Sequence, residues 1–90
     1  MSNRMRDVKV TREDIHRVVH LTAIVKAPNQ QERETLYRIT FPRPDAPRTQ
    51  CTFEVFKAKP RQSHKIWSMV NNWCETADVL WNAVKERELV

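Results

Sequence analysis

Val18-Val19-His20-Leu21-Thr22-Ala23-Ile24-Val25-Lys26-Ala27 is the stretch whose reading decides the fold. Just upstream, Thr11 with Asp14 three residues later has the form of a helix capping box. Laid on a helix at about 100° per residue, however, Ile15, Val18, Val19, Leu21, Ala23, Ile24 and Val25 scatter over more than half the circumference. Read as a strand, Val19, Leu21, Ala23 and Val25 line one face while His20, Thr22 and Lys26 alternate on the other. The β-branched content agrees, and the stretch reads as a strand.

Working outward, Thr35 to Phe41 repeats the alternation with Tyr37, Ile39 and Phe41 on one face and Arg38 and Thr40 opposite. It ends at Pro42, where the lost backbone donor stops a ladder. Gln50 to Lys57 reads as the next strand, with Cys51, Phe53 and Val55 inward and Thr52, Glu54 and Phe56 outward. On the other side, Asp7 to Val10 is a short leading strand with Val8 and Val10 as its apolar support.

After Pro60 the period changes. From about Ser63, a serviceable N-cap, to about Glu88, the residues Ile66, Trp67, Met69, Val70, Trp73, Cys74, Ala77, Leu80, Trp81 and Val84 fall within an arc of about 160° at helical spacing. This predicts one long amphipathic helix. The expected fold is α+β: a three- or four-stranded antiparallel meander followed by that C-terminal helix packed on one sheet face. No repeat, linker or low-complexity tract divides residues 1–90, so one domain is expected, with residues 1–6 flexible.

Composition narrows the function. Apolar residues at 40% and charged residues at 30% are the balance of a globular chain with a core. Glycine is absent, which argues against phosphate-cradling loops and nucleophile elbows, where backbone must approach a ligand closely or take a positive φ. No apolar run approaches the roughly 18 residues of a membrane span. The charged start of the chain lacks a signal-peptide core, so a cytoplasmic protein with no membrane association is expected.

Enzymatic chemistry finds little footing. Pro44-Asp45 followed by Glu54 and Lys57 approaches a metal-dependent nuclease arrangement, but acid and lysine three apart lie on opposite strand faces. His16 and His20 on a strand stand roughly 13 Å apart, too far to share a metal. Cys51 and Cys74 fall on core faces and read as buried free thiols, unsuited to nucleophilic work. A non-catalytic protein with neither metal nor cofactor is expected.

The charge points to binding. The formal net charge is +5, with 14 Lys and Arg against 7 Asp and Glu up to Lys65, then 2 against 4 beyond it. Arg38, Arg43, Arg48, Lys57, Lys59, Arg61 and Lys65, with Phe56 as the outward aromatic, form the candidate nucleic-acid-binding set. A rim of this kind suits phosphate backbone, whose neutralisation releases counterions. Tyr37, Phe41 and Phe53 point toward the helix, which places the contacts on loop cations and not on a sheet platform. A helix of about 37 Å outruns a nine-residue strand of about 30 Å. Trp67, Cys74 and Trp81, every seven residues along its edge, are therefore the candidate dimer or partner interface.

Two readings follow. The first is a small basic nucleic-acid-binding protein, homodimeric, contacting single-stranded or backbone-exposed nucleic acid. The second is a viral- or phage-type inhibitor or adaptor that docks an acidic host protein surface through a strand edge or the tryptophan edge. The element order, a meander then a helix, resembles the single-stranded nucleic-acid-binding domains of the positive-cofactor and Whirly types. That likeness is one of topology and implies a dimerising helix and binding on the sheet surface.

Overall fold

The computed structural model describes residues 4–15, 17–58 and 61–88. Five strands, β1 (Arg4–Glu13), β2 (Val18–Lys26), β3 (Arg33–Thr40), β4 (Thr52–Ala58) and β5 (Lys65–Val70), precede one helix, α1 (Glu75–Glu88). The strands pair antiparallel in chain order, each with its sequence neighbours. The meander followed by a helix on one sheet face is the architecture the alternation predicts; the strands number five, and the helix is 14 residues long.

The deciding stretch is a strand. Val19, Leu21 and Ala23 are buried on the helix side, next to Ile39 and Tyr37 of β3, which in turn pair with Phe53 and Val55 of β4. Ala77, Leu80 and Val84, spaced at three and four along α1, close the core from above. The capping signal upstream has another cause. Asp14 Oδ1 accepts the Val18 N–H at 3.0 Å, and the Asp14 carbonyl accepts the Arg17 N–H at 3.0 Å. An Asp side chain closes a hairpin turn by the same local bonding that caps a helix.

The long helix expected from Ser63 is corrected at its front end: Lys65–Val70 is β5, paired along β4 from Phe53↔Val70 to Ala58↔Lys65. Ile66 and Val70 are four apart, so they share a face under either period, and a short apolar run alone does not separate the two. The edge of β4 decides, because a strand there satisfies its unpaired N–H and C=O groups and a helix does not. Asn71 then breaks the strand. Its Oδ1 accepts the Trp73 N–H at 2.8 Å and its carbonyl accepts the Cys74 N–H, and Asp78 N–H to the Cys74 carbonyl opens α1.

The leading strand exceeds its expected Asp7–Val10 span. Arg4 to Arg6, expected to be flexible, pair with Lys26 to Ile24 of β2, while residues 1–3 lie outside the described residues. Two register irregularities, between Arg6 and Lys9 and between Val10 and Arg12, interrupt β1, and Asp7 takes φ 54° at the first. Among the described residues, no helix is long and apolar enough to cross a membrane.

Candidate functional site

With α1 on one side, the other side of the sheet stays open, and its pairing registers define two rows of side chains that cross all five strands. One runs Arg12, His20, Arg38, Glu54, Met69; the next runs Lys9, Thr22, Leu36, Phe56, Trp67. Arg4 extends the cationic side along β1, Arg6 is ion-paired with Glu32 and Asp7, and Lys65 ends the opposite edge. Along these two rows the face grades from Lys9 and Arg12 on β1 to Trp67 and Met69 on β5.

At the aromatic end the side chains hold one another. Glu54 accepts Arg38 Nε at 2.8 Å and Nη2 at 3.0 Å, a bidentate pair that fixes the guanidinium plane. The Trp67 ring lies 4.1 Å from that guanidinium, 5.1 Å from the Phe56 ring and edge-on to His20 at 5.9 Å. Trp67 thus reaches from its own row over the neighbouring one. It remains half-buried, with the Arg38 guanidinium over its ring and the Phe56 ring tilted 44° to it, so the two rings present an angled, partly covered apolar surface beside the cations.

His20 sits on β2 between Arg12 and Arg38 of its row. Burial, then the positive charges of Arg12 and Arg38, push its pKa below the ordinary imidazole value, against a smaller opposite effect of Asp14. Neutral His20 therefore leaves the positive potential to the arginines and lysines around it. Where the first β1 irregularity loosens the ladder, a depression of about 310 Å³ opens between Asp7, Lys9, Thr22, Ile24 and Glu34.

The sequence-derived binding set is only partly assembled here. Arg38, Phe56 and Lys65 share the open face. Arg48 is committed elsewhere: Nε and Nη2 donate to the Asn72 carbonyl at 2.8 and 2.6 Å, Nη2 meets Asp78 at 2.5 Å, and the guanidinium covers Trp73 at 4.7 Å. It clamps the β5–α1 turn. Arg43 pairs with Asp45 at 3.3 Å in the loop after β3. Lys57 is exposed opposite Ile66 on the helix-side register, and Arg61 is exposed in the β4–β5 turn with φ 68°. Lys59 lies outside the described residues, as does His16.

The expected tryptophan stripe is also corrected. Trp67 is on β5, Cys74 in the turn before α1, and Trp81 on α1, stacked on Phe41 at 5.6 Å with Lys85 Nζ 4.8 Å from its ring. These three share no helix edge. Both cysteines are free; Cys51 is buried, and burial pushes its thiol up, only partly offset by Arg17 and Lys85.

Sequence reasoning missed Arg4, Arg6, Lys9, Arg12 and Trp67 as one surface. Charges at positions 4, 6, 9 and 12 follow no period of two, because the irregularities between them reset which face each side chain takes. A legible hint existed in Asn71-Asn72, a turn signal that ends the run before it. Comparison of the chain with protein-family models, with curated proteins and with solved structures found no match in any of the three.

Proposed function

We propose that this chain is a non-catalytic nucleic-acid-binding domain that takes single-stranded nucleic acid across its open sheet face. The carrying observation is the row Lys9, Thr22, Leu36, Phe56, Trp67, which joins a cationic edge to two adjacent aromatic rings. Bases stack on Trp67 and Phe56, each such stack being worth about 1–3 kcal/mol, and the phosphates follow Arg4, Lys9 and Arg12. A duplex keeps its base faces stacked inside and offers the rings nothing, so the aromatic end selects the single strand. The cations of this face are strand residues, so the contact surface moves from the loops to the sheet.

Tryptophan fluorescence titration with single-stranded and duplex oligonucleotides tests this. The expected result is quenching by the single strand, weaker binding to duplex, and an affinity that falls linearly with salt on logarithmic axes. Absence of binding to either form at about 50 mM salt overturns the proposal. The reading as an adaptor on an acidic protein surface uses the same basic edge but has no use for two adjacent rings among the cations. It gains if an acidic protein binds while single strands do not.

A further inference from the structure

The two edges of the sheet are built differently. β1 carries two register irregularities, the positive-φ Asp7 and the basic Arg4, Arg6, Lys9 and Arg12, the devices by which an edge strand refuses another chain. β5 carries none of these. Its pairing with β4 runs without a shift from Phe53↔Val70 to Ala58↔Lys65, its one charge is Lys65 at the start, and Met69 stands 80% exposed. Being last in the strand order, it leaves its outer N–H and C=O groups without a strand partner among the described residues.

We infer that the β5 edge receives the β5 edge of a second copy of this chain, antiparallel, with Ser68 on the dyad. That register is self-complementary. Ile66 falls opposite Val70 of the other copy on the helix side, and Trp67 falls opposite Met69 on the open side, each pair occurring twice. A thioether against an indole edge is a favourable contact.

An independent observation selects Ser68. Its Oγ is shielded from solvent and has no hydrogen-bond partner among the described residues, a condition that costs free energy in a monomer. Across the dyad, once each Ser68 side chain turns about χ1 from that shielded position toward the strand edge, the two hydroxyls face each other and donate and accept in turn, the hydroxyl pairing that stabilises facing strand residues. Centring the dyad on Trp67 instead sets Ser68 against Ile66 and leaves that hydroxyl unsatisfied. The dimer joins two open faces edge to edge, with both Trp67–Phe56 clusters at the centre and both basic β1 strands at the rims. It stands or falls apart from the choice of ligand.

The test uses the full chain without nucleic acid. Sedimentation velocity should give twice the monomer mass at concentrations up to about 100 μM, with mass action setting the midpoint. Met69→Glu, at a position too exposed to disturb the core, should weaken the dimer at least about ten-fold by placing a carboxylate against the negative ring face of Trp67 of the partner. Under mild oxidation, Ser68→Cys should form an interchain disulfide, since facing strand residues have Cβ atoms about 4.5–5.5 Å apart. Ile66→Cys should not, because residues 66 of the two copies lie about 13 Å apart in this register. A wild-type monomer throughout overturns the inference. So does a dimer that ignores Met69→Glu, or one cross-linked by Ile66→Cys and not by Ser68→Cys. Loss of nucleic-acid binding with the dimer intact counts against the ligand alone.

Discussion

The two faces of this sheet are cut from the same five strands and obey different rules. On the helix side, Val19, Leu21, Ile39 and Phe53 are 0% exposed and meet Ala77, Leu80 and Val84 of α1; stability there comes from excluded water and close packing. On the open side, none of Arg12, His20, Arg38, Phe56 or Trp67 is fully buried, and they are arranged by charge and ring contacts. One face holds the fold together while the other is free to hold something else. A substitution should therefore report on stability or on binding according to its parity along a strand.

The comparison is broken most severely from the helix side. Phe53→Ala should cost about 3–5 kcal/mol of unfolding free energy by urea denaturation, since it removes a fully buried ring that Val55, Ile39 and Trp81 surround. A cost near that of a surface substitution means that the core is not where α1 places it. Next in size, Trp67→Ala should lower single-strand affinity by about 1–3 kcal/mol while moving the unfolding midpoint much less than Phe53→Ala does. If stability falls and affinity stays, the ring is scaffolding and the open face carries no stacking.

Smaller effects sharpen the basic edge. Lys9→Ala and Arg12→Ala should each reduce the slope of log affinity against log salt by roughly 0.7 to 0.9. Arg48→Ala should leave that slope unchanged and lower stability, because its guanidinium serves Asn72 and Asp78. A slope that responds to Arg48 and not to Lys9 returns binding to the loops.

The smallest effect is that of pH. Burial, then Arg12 and Arg38, hold His20 below its unfolded value of about 6.5, so below that pH the unfolded chain binds more protons than the folded one. Stability from this group is complete above about 6.5 and is lost as pH falls toward the folded value. Urea midpoints taken from about pH 7 down to about pH 5 should decline less steeply in His20→Gln than in the wild type. Equal declines place the titration elsewhere.

Much of the fold was legible because burial on one face writes a period of two into the chain. β2, β3 and β4 announce themselves in Leu21, Tyr37 and Phe53 and their alternate neighbours. β1 was legible only at Val8 and Val10, since its irregularities shift the parity on either side. β5 was hidden because Ile66 and Val70 suit either period and the helical pattern beyond Cys74 was strong enough to annex them. For the candidate site, Arg38 and Phe56 were within reach of strand parity, whereas Lys65 and Trp67 changed element and took the surface with them.

The sequence by itself determined that a helix-covered meander forms and which apolar residues of β2, β3, β4 and α1 face inward, because alternation and helical spacing are local properties of the chain. Only the tertiary structure decided that Lys65–Val70 joins the sheet and that Lys9, Thr22, Leu36, Phe56 and Trp67 share a row. Register is a relation between distant segments. It is settled by an open edge that needs a partner and by irregularities that reset which way a side chain faces, and neither is written in any one stretch of residues.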